Sequence, residues 1–159
     1  MLLLLYNSWV SIYKEDGLEI TKLKYKLAFM GMAKVFAKTS EAKRLQVGAL
    51  IVKNKQIIST GVNGTPAGWE TNNCENSNNE TEWFVRHAEV QALNKLRKSH
   101  ETSSGAEMYI THSPCKNCAV EIIDAGISKV YYDVDYRDST GIELLKRYGI
   151  AVEKLQEVK

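Results

Sequence analysis

From Val47 to the end of the chain, short strand-like runs and helical runs follow one another, and this alternation restricts the fold more than any other feature. Val47–Val52 and Gln56–Thr60 are β-rich and separated by the polar Lys53-Asn54-Lys55, which predicts a hairpin. Helical spacing of Val90, Leu93 and Leu96 predicts a helix over Trp83–Lys98, followed by a strand over Glu107–His112. A helix over Cys115–Ala125, stopped by Gly126, a strand over Lys129–Val134, a helix over Gly141–Arg147 and a strand over Ile150–Val152 complete the series. Ahead of the hairpin, Leu23, Leu27, Met30 and Val35 mark an amphipathic helix over Thr21–Lys38, with Lys22, Lys24 and Lys26 on its solvated side. A hairpin followed by alternating helices and strands implies an α/β layered domain with a mixed sheet. The expected organisation is one domain over residues 21–159 behind an N-terminal extension, residues 1–20, that no period fits.

Composition narrows the function. The chain has 159 residues, 44% of them apolar, enough for a sizeable core, and 21 Lys+Arg against 19 Asp+Glu leave a formal charge of +2. That charge does not announce a polyanion-binding surface, so no nucleic-acid partner is expected. The Leu2–Leu5 run is far shorter than the roughly 20 apolar residues of a membrane span and lacks the flanks of a secretory signal. No membrane association and a cytoplasmic location are therefore expected. Three cysteines cannot all pair, and two of them stand in Cys115-Lys116-Asn117-Cys118, a spacing that serves metal or redox chemistry more often than a structural bridge.

His87-Ala88-Glu89 lies near the start of one expected helix, and Pro114-Cys115-Lys116-Asn117-Cys118 opens another. A strand-helix-strand-helix path brings both helix N-termini to one rim of the sheet, where an imidazole and two thiolates can converge, a donor set suited to zinc. The free N–H groups of the first helical turn favour the thiolates. Three protein ligands leave a fourth position for water, whose pKa zinc brings from about 16 to near 7. Glu89, two residues beyond His87, falls beside such a metal and is placed to move protons.

These two motifs together resemble the signature of the zinc-dependent cytidine/deoxycytidylate deaminase superfamily. The resemblance runs from about Leu27 to Val152 and is nearest to the deoxycytidylate (dCMP) deaminases, through Gln46–Val52, Ile58–Gly68, Asn73-Cys74 and Asp133–Tyr136. It implies a three-layer α/β/α fold with a central mixed five-stranded sheet. The implied reaction is hydrolysis of dCMP to dUMP and ammonia, supplying dUMP for thymidylate synthesis. Zinc-activated hydroxide attacks C4 while Glu89 protonates N3, and Glu89 later carries a proton to the departing amino group. His87, Cys115 and Cys118 are the implied metal ligands. The residues matching the family's substrate contacts are Asn63 for the sugar, Ser113 for the exocyclic amino group through its backbone, and Tyr136 in the pocket wall. The resemblance further implies a homohexamer, activated by dCTP and inhibited by dTTP with Mg2+ on the triphosphate, the contact falling around Gly64, Thr65 and Gly68.

The chain departs from the family pattern in places. Only twelve residues separate Cys74 from His87, and none is a histidine or cysteine, so a second, structural zinc is not expected. Ser113 stands where an aromatic often precedes the Pro-Cys pair. Lys38, Lys43, Arg44 and Arg137 are candidates for the substrate phosphate, and no motif chooses among them. Two other readings compete. One is a deaminase acting on a base within RNA or DNA, which wants a basic track that +2 does not supply; the other is a non-catalytic zinc module, in which Cys74 or His112 would close the metal sphere.

Overall fold

The computed structural model describes residues 23–155. The N-terminal extension expected over residues 1–20, with Lys22 of the first helix, lies outside them. A helix over 23–37 (α1) leads into β1 (Gly48–Lys53) and β2 (Gln56–Val62), then α2 (Ala88–Leu96), β3 (Glu107–His112), α3 (Lys116–Asp124), β4 (Lys129–Val134), α4 (Thr140–Arg147) and β5 (Ala151–Lys154). The sheet is mixed and five-stranded, ordered β2-β1-β3-β4-β5. Its β1 pairs antiparallel with both β2 and β3, whereas β3, β4 and β5 run parallel. The parallel half follows from the chain: α3 and α4 are the crossovers that such pairing requires.

Alternation within the strands produces the layers. Ala49 and Ile51 of β1 join Met108, Ile110 and Val130 against Ala92, Leu93, Ala119, Ile122 and Leu145, the inner faces of α2, α3 and α4. Leu50 and Val52 point the other way, with Tyr109 and Tyr131, onto Phe29, Met30 and Ala33 of α1. The result is the three-layer α/β/α arrangement expected. Tyr131 and Tyr132 are both buried because β4 lies inside the sheet with helices over both faces. Tyr131 stacks on Tyr109 with centroids 4.7 Å apart.

Two details of the expected helices change. The buried stripe of α1 is Phe29, Met30, Ala33 and Ala37, and Val35 is 64% exposed: a repeat of 3 and 4 from Met30 to Ala37 follows the helix more closely than the five-residue step to Val35. Lys26 is not simply solvated, since it pairs with Glu153 at 2.9 Å and lies over the Tyr131 ring. Among the described residues, no helix is long and apolar enough to cross a membrane.

Candidate active site

Two glycines allow the site to form. Gly61 of β2 runs so close to α2 that an added Cβ would overlap the Ala88 carbonyl oxygen, and Gly141 of α4 touches the Pro114 carbonyl in the same way. The first turns of α2 and α3 are thereby seated on backbone, with no side chain intervening. Helix α2 starts at Ala88, five residues later than the apolar pattern predicts, because Arg86 exchanges both backbone hydrogen bonds with Gly64 in an isolated antiparallel bridge. His87 is therefore the N-cap of α2, and Cys115 is the N-cap of α3, each with extended backbone.

The two caps meet. Nδ1 of His87 is 3.6 Å from Cys115 Sγ and 3.3 Å from Cys118 Sγ, and the three donor atoms lie within 4.8 Å of one another. Ligands at about 2.3 Å (S) and about 2.0–2.1 Å (N) from a tetrahedral zinc stand about 3.6 Å apart, so the cluster fits that ion in chemistry and in spacing. Among the described residues the cluster has these three members. Cys74 instead turns its thiol toward the Asn72 carbonyl, 3.7 Å away, and His112 Nδ1 lies 3.2 Å from Thr111 Oγ1.

The electrostatics favour one thiolate from the start. The Cys118 side chain and then His87 donate to Cys115 and hold it down to about 3. Cys118, donor to Cys115 and buried beside Glu89, is pushed up, and His87 is raised chiefly by Cys115. Both helix N-termini add positive potential here. Glu89, in the first turn of α2, is 4% exposed. Burial pushes its carboxyl above the usual range, against partial relief from its own backbone N–H and from His87, and the side chain is in hydrogen-bond contact with Cys118. A carboxyl that readily keeps a proton, beside a cluster of metal-ligating side chains, has the chemistry to accept and return protons.

A cleft of about 790 Å3 opens on this cluster, and His87, Glu89 and Cys115 share its wall with Asn63, Ser113 and Tyr136. The sequence-predicted metal, acid–base and substrate residues are thus brought together. Of the four basic candidates, Arg44 and Arg137 line the cleft. Gly64, Thr65 and Gly68 do not; they belong to the turn beyond β2, where Gln91 holds the Thr65 carbonyl at 3.1 Å and Gly68 has φ +78°. Asn63 is firmly held. Its Oδ1 accepts from Ser40 Oγ (2.8 Å) and the Val47 amide (2.8 Å), and its Nδ2 donates to the Leu45 carbonyl (2.7 Å). Ser40, which anchors it, and Glu75, another wall residue, carry no motif that singles them out in the sequence.

The family model for the cytidine and deoxycytidylate deaminase zinc-binding region matches residues 23–134. The chain belongs to this family. ComE operon protein 2 of Bacillus subtilis is 36% identical over 138 residues, covering 85% of this chain and 73% of its own. The human deoxycytidylate deaminase is 35% identical over 141 residues, covering 83% and 75%. Among solved structures, the dCMP deaminase of the cyanophage S-TIM5, in complex with dCMP and dUMP, is 46% identical, with a TM-score of 0.81 over 82% of this chain and 96% of that one. A zinc-binding family and a His/Cys/Cys cluster agree on the metal, and the deaminase fold is that of the layers described above.

Proposed function

We propose that the protein hydrolyses dCMP to dUMP and ammonia, with His87, Cys115 and Cys118 as zinc ligands and Glu89 as proton carrier. The position of Glu89 carries the reading. It is a buried carboxyl in contact with Cys118, on the wall of a cleft shared with Asn63 and Tyr136. A purely structural metal site has no use for such a group. The choice of nucleotide is supported by the cyanophage relative, whose structure contains dCMP and dUMP.

Bound zinc supplies the Lewis acid that brings the pKa of water down to near 7. Glu89 accepts a proton from the attacking water and delivers it to N3 as the water oxygen bonds to C4. The proton left on that oxygen then passes through Glu89 to N4, the C4–N4 bond breaks, and ammonia departs while C4 keeps a carbonyl. One water is consumed and one carboxylate serves twice. Asn63 has one Nδ2 hydrogen left over from its bond to Leu45 for the sugar. Ser113 addresses N4 through its backbone, Tyr136 packs against the nucleotide, and Arg44 and Arg137 face the phosphate dianion.

The same reading assigns dCTP activation and dTTP inhibition, with Mg2+ on the triphosphate, to the turn of Gly64, Thr65 and Gly68, and a cytoplasmic homohexamer as the working form. Support comes from the family resemblance of Ile58–Gly68, whose last residues form the turn beyond β2. Ammonia release from dCMP, dCTP, cytidine, deoxycytidine and a structured RNA tests the assignment. Turnover of dCMP is expected; conversion confined to the polymer would move the activity to nucleic acid, and silence with every compound would leave a non-catalytic zinc module.

A further inference from the structure

Glu75 lies on the cleft wall at an isolated bridge to Thr81. Its Oε1 accepts the backbone N–H groups of Lys43 (3.0 Å) and Arg44 (3.1 Å), which fixes the carboxylate. Its Oε2 is buried and has no hydrogen-bond partner among the described residues. A buried carboxylate oxygen without a donor is costly, and one on the wall of a binding cleft asks for that donor from the ligand. Asn63 holds the Leu45 carbonyl while Glu75 holds the Arg44 amide, so the two side chains grip adjacent residues of one segment and are near neighbours.

The donors of a deoxyribonucleoside monophosphate are few. Its phosphate is an anion that a carboxylate repels, and its ring oxygen and N3 are acceptors. The exocyclic amino group belongs to the end of the cleft that holds Glu89 and Ser113. What remains is the sugar 3′-hydroxyl, which can accept from Asn63 Nδ2 and donate at the same time. We propose that Glu75 Oε2 accepts the 3′-hydroxyl hydrogen of the substrate and so makes that hydroxyl a condition of efficient turnover. This rests on the dCMP reading above and adds a residue to it.

The test compares kcat/KM for dCMP with that for its 3′-deoxy analogue, 2′,3′-dideoxycytidine monophosphate, in the zinc-loaded wild-type protein and in Glu75→Gln and Glu75→Ala. The wild type is expected to favour dCMP by at least about tenfold, the size of one charge-assisted hydrogen bond. That preference is expected to shrink several-fold in Glu75→Gln, which keeps an oxygen for Lys43 and Arg44, and to approach one in Glu75→Ala. Equal turnover of both nucleotides by the wild type overturns the inference without any variant and leaves the dCMP reading intact. An undiminished preference in folded variants overturns it too. No turnover of either nucleotide by the wild type overturns both readings together.

Discussion

Ser113 Oγ accepts the backbone N–H of Tyr136 at 2.7 Å, while the Ser113 amide donates to the Val134 carbonyl at 2.9 Å. The residue ahead of the Pro114-Cys115 turn therefore pins the chain leaving β4, and with it Tyr136, over whose ring the Arg137 guanidinium lies at 5.6 Å. An aromatic at position 113 could not accept this bond. Ser113→Ala strands a partly buried amide, at about 1–2 kcal/mol, and loosens one wall of the cleft. The expected outcome is a Tm lower by several degrees and a KM for dCMP raised several-fold with kcat less affected. Thermal unfolding and steady-state kinetics check it, and Ser113→Thr, which keeps the oxygen, is expected to recover most of both.

Glu89→Gln preserves volume and hydrogen-bonding capacity but cannot shuttle protons. Since general acid–base catalysis contributes about 10²–10⁴-fold per group, and this carboxyl is proposed to act twice, turnover is expected to fall by at least that factor. Zinc content per chain and the unfolding transition are expected to stay at wild-type values, because the three donors are untouched. Substantial residual turnover in zinc-loaded protein would assign the proton transfers to another group.

The elements and the two halves of the cluster were legible in the sequence for the same reason: each is local, and the order of strands and helices then brings the halves together. Short, near-continuous apolar runs in β1 and β3, buried on both faces, and helical spacing in α2 encode their own burial, and the His-x-Glu and Cys-x-x-Cys pairs each sit at one helix start. Features that depend on distant partners were not legible. Trp83, Phe84 and Val85 continue the apolar pattern of α2 backward, and only the bridge between Gly64 and Arg86, 22 positions apart, shows that they are not helical. Trp69 and Phe84 instead pack with ring centroids 5.0 Å apart. Glu75 and Ser40 acquire their roles from Lys43, Arg44 and Asn63 across the same loop, and no residue spacing announces such contacts.

His112, at the end of β3 on the cleft wall, has its pKa lowered by burial, against a smaller opposing effect of Asp133. The folded protein therefore keeps this imidazole neutral more strongly than the unfolded chain does. Below the unfolded value of about 6.5 the unfolded chain binds the extra proton first, so this group's stabilising contribution, complete above that pH, is lost as pH falls toward the folded value. The difference in Tm between wild type and His112→Gln, measured from pH 7.5 to 5, is expected to change across this window in the direction of wild-type loss. Acid release of metal affects both proteins and cancels in the difference. A pH-independent difference would show that His112 ionises equally in both states.

Gly61 and Gly31 make opposite predictions from the same substitution. Gly31 lies within α1, where an added Cβ meets nothing within 4 Å, and alanine is better than glycine in a helix by about 0.8–1 kcal/mol. Gly31→Ala is therefore expected to raise Tm by a few degrees. At Gly61 the same methyl collides with the Ala88 carbonyl and approaches the Ala92 amide, both backbone groups that cannot swing aside. Relief requires β2 and α2 to separate, an overpacking penalty of about 1–3 kcal/mol or more. Because His87 is the N-cap of α2, the separation also displaces one donor of the cluster from the two thiols on α3. Gly61→Ala is accordingly expected to lower Tm and to lose zinc at chelator concentrations that leave wild type and Gly31→Ala loaded, read as metal per chain after dialysis. A destabilised Gly61→Ala that keeps wild-type zinc retention would show that the start of α2 holds its place independently of the strand beneath it.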